Sequence, residues 1–358
     1  MFHIPTAREA LGTWYEAQRR VLPWREDPSA YGVWVSETML QQTRVDTVVP
    51  YYERFMASFP DVATLAEADE ADVLSHWAGL GYYRRCRNLQ AGARVVMERF
   101  AGEVPSTVEE LRELPGVGPY TAGAIASIAH GRPAALVDGN VARVLSRLYA
   151  ITEMVNSPAG QRDLWSRAEE LLDPGAPSRH NQGLMELGAL VCTPTSPGCD
   201  ACPLMDCCEA LAQGRVSELP RKRRKKPPVP VRGVAGLVRD EAGRLLMGRR
   251  PEGGLLAGLW ELPGGEVSPD DDPSSALAAR LGERLGLGAQ VGDHLASVDH
   301  VFTHRRLSLQ IYAVPSVSGR PENLWYTESR WVDPEALDGV PLSSLTRKVL
   351  TALGYAHE

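Results

Sequence analysis

Leu114–Asn140, LPGVGPYTAGAIASIAHGRPAALVDGN, is the stretch from which the rest of the chain can be read. It sets a glycine turn between two helical patterns. Ser106-Thr107-Val108-Glu109 reads as a capping box for the helix before the turn. Pro115 and Gly116 stop that helix. Pro119 sits at a first helical position and Gly131 at the residue past a helix end. The pattern predicts a helix–turn–helix hairpin with the amides of Gly116, Val117 and Gly118 facing outward. Amides at a helix N-terminus suit a phosphate, and glycine permits close backbone approach. In Val137-Asp138-Gly139-Asn140, Asp138 follows an apolar run and precedes a glycine. That placement aims a carboxylate into a cleft. It serves equally as the N-cap of a helix over 141–149.

At 358 residues the chain is long enough for two domains with full cores. No apolar run approaches the roughly 20 residues that span a bilayer, and the first twenty residues lack the apolar block of a secretory signal. The expectation is a cytoplasmic protein with no membrane partner. The net charge of −7 argues weakly against nucleic acid, yet residues 221–226, RKRRKK, form an unbroken basic run before Pro227-Pro228. Taken alone, such a run is most often a solvated linker.

Helical spacing dominates residues 1–213, with helices expected over 7–21, 31–42, 46–59, 67–77, 86–100, 143–150, 161–172 and 181–191. Beyond the prolines the pattern changes. Strands are expected over 231–238, 244–248 and 306–314, and helices over 274–285 and 343–353. The fold class is therefore multi-domain. An all-α region over 1–216 precedes a basic linker over 217–230 and an α+β domain over 231–358.

Five of the six cysteines fall between Cys192 and Cys208. In a cytosolic chain that clustering points to metal rather than disulfides. Four-cysteine sites hold iron–sulfur clusters or zinc, and spacing alone does not separate them. Cys86 stands apart on a helix and reads as a buried apolar thiol.

The spacing C-x6-C-x2-C-x5-C of Cys192, Cys199, Cys202 and Cys208 resembles the 4Fe–4S loop of the endonuclease III family, and Cys207 is then a bystander. With the hairpin and Asp138, the chain resembles the helix–hairpin–helix glycosylase superfamily. Pro23-Trp24-Arg25, residues 36–43 (SETMLQQT), residues 79–83 (GLGYY), residues 137–140 (VDGN) and Asn181-Gln182 resemble a narrower group, the MutY-type adenine DNA glycosylases. The resemblance implies removal of adenine opposite 8-oxoguanine, or G, from double-stranded DNA by a monomer carrying a 4Fe–4S cofactor. Bifunctional relatives place a lysine nucleophile two residues after the second hairpin glycine. Here that position is Tyr120, which cannot form a Schiff base, so a monofunctional enzyme is implied.

The chemistry can also be argued from charge. Breaking an N-glycosidic bond leaves positive charge on the sugar and negative charge on the departing base. A protonated acid should meet the base, and an ionised one the sugar. Glu37, on an apolar helix near Trp34, would keep its proton if buried. Asp138, beside hairpin amides and Asn140, would stay charged. Glu37 is thus expected to protonate adenine and Asp138 to stabilise or capture the oxocarbenium ion, with Tyr120 and Asn140 orienting them. Glu37 could instead be a surface glutamate. Gln42 and Thr43 are expected on the 8-oxoguanine strand. Tyr82, assisted by Leu80, is expected to wedge the opened duplex. Arg20, Trp24, Arg25 and Gln182 are candidates for the adenine pocket.

Residues 258–265, GLWELPGG, resemble the start of a Nudix domain. Of the acids a Nudix hydrolase needs, the aligned positions keep Asp271 and Glu283 but put arginine at Arg280 and Arg284. A guanidinium repels the divalent metal, which weakens the hydrolase reading. The domain looks instead like the 8-oxoguanine reader of MutY-type enzymes, with Phe302, Thr303 and His304 as its motif, Phe302 to wedge into or pack against the duplex, and threonine where serine is commoner. Other readings are endonuclease III-like repair of oxidised pyrimidines, a non-catalytic lesion-binding protein and an electron-transfer protein. Tyr120 and the extra domain disfavour the first. Glu37 with Asp138 disfavours the second. The hairpin and both carboxylates are left unexplained by the third.

Overall fold

The structure, a computed structural model, describes residues 3–26, 28–222 and 227–355. They form two compact units, one of residues 3–68 and 84–222 and one of residues 69–83 and 227–355. This differs from the division expected at residue 216. Residues 217–222 pack with the helical unit, where the Arg221 carbonyl accepts from the Val155 amide at 3.0 Å. The basic run beyond Lys222 lies outside the described residues. No helix among the described residues is long and apolar enough to cross a membrane.

The first unit is helical, and its helices lie within a few residues of the expected spans. They include Ile4–Gln18, Ala30–Leu40, Val45–Ser58, Arg84–Arg99, Gly139–Leu148, Pro158–Leu171 and Pro177–Leu190. The first unit also holds the helix Val62–Glu67, and the helix expected over 67–77 runs only over Glu70–Trp77, in the second unit. Asp61 caps Val62–Glu67 by accepting from the Thr64 amide. Short polar residues that compete for backbone donors start helices rather than extend them. Before the glycine turn the cap is Thr107, one residue later than expected, accepting from the Glu110 amide. Trp34, Phe55, Leu11 and Met39 are among the largest fully buried side chains. Gly92 makes room for Trp34, because a Cβ there would stand 2.6 Å from its ring.

In the second unit, nine strands follow in order: β1 (Val229–Val238), β2 (Leu245–Arg249), β3 (Trp260–Glu261), β4 (Gly264–Val267), β5 (Gly288–Gln290), β6 (His294–Val301), β7 (Arg305–Val314), β8 (Ser316–Ser318) and β9 (Glu328–Val332). The main sheet runs β4-β1-β7-β6, with β1 and β7 parallel and the outer pairs antiparallel. A second sheet runs β3-β2-β9. Side chains alternate across β1. Ala235 and Leu237 join a core with Leu345 and Val349 of the Ser344–Ala352 helix. Val234 and Val238 join Leu277 and Leu281 of the Pro273–Leu285 helix on the opposite face. A sheet covered on both faces has near-continuous apolar strands.

Candidate active site

Nine consecutive residues of the Ala30–Leu40 helix, Tyr31 to Met39, are buried. Glu37 lies among them at 4% exposure, so it is no surface glutamate. Burial pushes its pKa up to about 7, the negative Asp138 adds to the rise, and the Tyr120 hydrogen bond and the Arg25 charge oppose it. The donor is the Tyr120 hydroxyl, to Glu37 Oε2. Tyr120 belongs to the Pro119–Ala124 helix that opens after the glycine turn.

Asp138 caps the Gly139–Leu148 helix, so the capping role foreseen for it is real and coexists with the cleft position. Its Oδ1 accepts from the amides of Asn140 at 2.9 Å and Val141 at 2.7 Å, and Oδ2 accepts from Asn140 Nδ2 at 3.1 Å. Burial raises the Asp138 pKa too, so it does not keep an ordinary aspartate value, while the Val141 and Asn140 amides, the Arg143 charge and the Asn140 side chain pull it back. The two acids differ in their donors. Glu37 has one hydroxyl, whereas Asp138 has three N–H groups that favour the ionised form.

Glu37 and Asp138 line one cavity of about 700 Å³. Arg20, Trp24, Arg25, Gln42, Thr43, Tyr120, Asn140 and Gln182 line it as well, so every residue expected at the adenine pocket is gathered there. Gln182 accepts from the Tyr15 hydroxyl at 3.0 Å. Arg85 caps the end of the Ala30–Leu40 helix, donating to the carbonyls of Thr38 and Met39. The same guanidinium reaches Thr43 Oγ1 at 3.3 Å, and Gln42 follows the helix at φ +62°.

Sequence reading missed two charged residues of this cavity, Glu186 and Lys222. Glu186, 1% exposed, accepts from the Arg20 amide and guanidinium and from Arg25 Nη2, at 2.8 to 3.0 Å. Burial alone would raise its pKa, but the Arg20 and Arg25 hydrogen bonds bring it down to about 2. It is therefore a fixed anion that aims both arginines. Its place on the Pro177–Leu190 helix, one turn beyond Gln182, was the available signal.

Behind Asp138, Asn140 Oδ1 accepts from Arg143 Nη2 at 2.8 Å, and Arg143 Nε donates to the Cys192 carbonyl at 2.6 Å. Arg147 Nη1 donates to Cys192 Sγ at 3.3 Å. Cys192, Cys199, Cys202 and Cys208 line a shared apolar cavity of about 30 Å³ with Val144, Leu148, Leu187 and Leu204 among its walls. Cys207 does not line it, and its thiol donates to the Leu204 carbonyl at 3.3 Å. Burial pushes Cys202 up to about 12, and neighbouring thiols add to the rise. Four sulfurs in an apolar enclosure are the donor set that an iron–sulfur cluster or zinc takes. Cys86 is buried, as its helix implied.

Three expectations around the turn and loops are corrected. The Val117 amide does not face outward but donates to the Leu114 carbonyl at 3.1 Å. In a β-turn the amide of the fourth residue turns back to the carbonyl of the first. Leu80 is buried, so it packs inward instead of assisting at a duplex. Phe302 is half-buried against the core of the second unit, with its ring 4.6 Å from that of His300, and does not project as a wedge. By contrast Gly116 holds φ +78°, and a Cβ at Gly118 would meet nothing within 4 Å. Tyr82 is 46% exposed, whereas Tyr83 is buried and donates to the Leu342 carbonyl. Thr303 and His304 are exposed on the turn closed by the Phe302 amide and the Arg305 carbonyl. Tyr82, Thr303 and His304 belong to the second unit, and the cavity residues to the first.

Comparison with known proteins gives two domain matches. Residues 35–170 match the HhH-GPD superfamily of base excision DNA repair proteins, and residues 234–352 match the NUDIX domain. The chain is 38% identical to an adenine DNA glycosylase of Rattus norvegicus, over 97% of this chain and 77% of that one. It is 39% identical to the Homo sapiens adenine DNA glycosylase, over 97% and 73%. Among solved structures, a thermostable thymine-DNA glycosylase superposes with a TM-score of 0.54 at 28% identity, covering 59% of this chain and 97% of that one.

Proposed function

The chain belongs to the adenine DNA glycosylase family, and from that premise we propose that it excises adenine opposite 8-oxoguanine, or G, from duplex DNA. It is a base excision repair enzyme that hydrolyses N-glycosyl bonds, and duplex DNA is its partner. In the mechanism we propose, Glu37 hands its proton to the flipped adenine, whose departure is thereby that of a neutral base. Asp138, kept anionic by its donors, stabilises or captures the oxocarbenium ion, and water completes the hydrolysis. Tyr120 orients the Glu37 carboxyl and Asn140 that of Asp138. Arg20, Trp24, Arg25 and Gln182 enclose the base. The observation that carries this reading is one cavity holding two buried acids with unequal sets of donors.

Tyr120 supports a monofunctional enzyme, since no amine stands at that position to form a Schiff base. The open space at Gly118 supports close approach of a phosphate to the turn formed with Gly116 and Val117. Gln42 and Thr43 would meet the opposite strand. Tyr82 would stack at the opened step without Leu80, and the exposed Thr303 and His304 would read the lesion with Phe302 as their half-buried anchor. The Tyr82 and Thr303 hydroxyls lie 3.5 Å apart, which supports their action together.

Cys192, Cys199, Cys202 and Cys208 would hold a 4Fe–4S cluster. When bound, such a group supplies cross-links and fixed charge to the Cys192–Cys208 loop. That loop supports the active site through Arg143, which spans from Asn140 to the Cys192 carbonyl. The helical unit as the catalytic part and the second unit as a lesion reader, in a monomer, complete the proposal.

Single-turnover excision from duplexes carrying adenine opposite 8-oxoguanine, G, C and T tests it. The expected order puts 8-oxoguanine first, G next, and C and T far behind. Equal rates on all four would refute recognition of the oxidised partner.

A further inference from the structure

Tyr15 stands behind the catalytic cavity without lining it. It lies on the Ile4–Gln18 helix at 3% exposure and packs on the Pro177–Leu190 helix. Glycines let the two helices close on each other. A Cβ at Gly183 would stand 3.4 Å from Tyr15 Cβ and 3.2 Å from Leu11. Arg179 fills the space over Gly12 and pairs with Glu16 at 3.1 Å. This clamp brings the Tyr15 hydroxyl to the residue before Gly183, where it donates to Gln182 Oε1 at 3.0 Å. Gln182 does line the cavity.

The surroundings fix which way round the Gln182 amide sits. Its Nε2 donates to Ser178 Oγ at 3.1 Å. A hydroxyl both donates and accepts, so the Tyr15 and Ser178 contacts by themselves suit either orientation. Arg19 removes the ambiguity. Its guanidinium reaches the Tyr15 hydroxyl as a donor and has no acceptor to offer. The Tyr15 oxygen accepts from Arg19, which leaves its single proton for Gln182 Oε1. Turning the amide over would strand that buried proton, a penalty that favours the observed orientation by roughly tenfold or more. Burial raises the Tyr15 pKa, and the Arg25 and Arg19 charges only partly offset the rise, so the proton stays on the oxygen at neutral pH.

We propose that Tyr15 is a positioning residue that sets selectivity for a 6-amino purine, by holding Gln182 with its carbonyl as acceptor and its N–H as donor toward the base. After the bonds to Tyr15 and Ser178, the amide keeps one lone pair and one N–H. Adenine carries the matching edge, an N6–H donor beside a ring-nitrogen acceptor. Hypoxanthine has a carbonyl at position 6, so two acceptors meet there. A site built around a hydrogen bond rejects an analogue that cannot make it more strongly than an apolar pocket does. This role rests on the excision reading and adds to it the source of base selectivity.

Single-turnover excision of adenine and of hypoxanthine, each opposite 8-oxoguanine, tests the role in the full chain. The parent should favour adenine by about tenfold or more. Tyr15→Phe keeps the ring against Gly183 and frees the amide to turn, so the adenine-to-hypoxanthine ratio should fall several-fold while duplex affinity holds. A purely structural part for Tyr15 would lower both rates together and leave the ratio alone. In a Gln182→Leu background, Tyr15→Phe should not move the ratio further, because the hydroxyl acts through that amide. An unchanged ratio in Tyr15→Phe, or the same fall in the Gln182→Leu background, would overturn the inference while leaving the excision reading intact. A parent that excises no adenine would overturn the excision reading, and this role with it.

Discussion

The Tyr120 hydroxyl donates a hydrogen bond to the Glu37 carboxylate inside a cavity that also contains Asp138. The bond joins the helix after the glycine turn to a helix buried from Tyr31 to Met39, and it favours the ionised form of Glu37 against the burial that opposes it. Tyr120→Phe removes that donor and should move the Glu37 pKa above about 7. The alkaline limb of excision should shift upward by about one pH unit or less, the scale of one neutral hydrogen bond. A pH profile of single-turnover rates checks this. A downward shift would contradict the assignment of the hydroxyl as donor.

Glu37 is costly to keep. Its folded-state pKa of about 7 lies above the ordinary 4.5, so between those values the folded protein binds a proton that the unfolded chain has lost. Stability should therefore fall as pH rises from 4.5 to 7, by roughly 3 kcal/mol at 1.36 kcal/mol per unit, and level off beyond. Glu37→Gln should abolish this slope and unfold at a higher denaturant concentration than the parent at pH 8. Equal midpoints at pH 8 would argue against a buried, proton-holding acid.

Glu186 behaves in the opposite sense. Its pKa of about 2 lies below the ordinary 4.5, so its contribution is complete above 4.5 and is lost as pH falls toward 2. The size is roughly 3 kcal/mol by the same conversion. Glu186→Gln leaves Arg20 and Arg25 without their shared anion and should destabilise by about 3–5 kcal/mol, the range for breaking a buried pair. Denaturant unfolding measures it, and excision should fall because both arginines lose their aim.

Gly188 sits where helix meets helix. A Cβ there would stand 2.6 Å from Asn140 Cβ and 3.0 Å from the Asn140 backbone. Gly188→Ala should push the Asp138–Asn140 segment, costing about 1–3 kcal/mol by overpacking. It should also slow excision more than DNA binding, although residue 188 does not line the cavity. Normal excision would show that the Asp138 segment tolerates displacement.

Much of this architecture was legible in residue order because local signals and global fold agree. Helix spans followed the apolar period, the change at the proline-rich segment marked the α+β region, and Glu37 with Asp138 stood out as acids in apolar settings. What stayed hidden depends on distant neighbours. Glu186 found its partners only when the Pro177–Leu190 helix brought it to Arg20 and Arg25, 166 and 161 positions away. Leu80 and Phe302 looked like duplex wedges because glycines and a motif framed them, but burial decided their roles. Strands β3, β4, β5, β6, β8 and β9 were missed, being short or weakly alternating and set by pairing with β1, β2 and β7 or, for β5 and β8, with each other. The placement of residues 69–83 with the second unit had no signal in local periodicity.

The most direct test is single-turnover excision by Glu37→Gln on a duplex with adenine opposite 8-oxoguanine, compared with the parent from pH 5 to 9. The account predicts tight DNA binding with excision lost at every pH, and a parent rate that declines above about pH 7 as Glu37 gives up its proton. A variant that excises at near-parent rates, or a parent rate that climbs through that range, would contradict it.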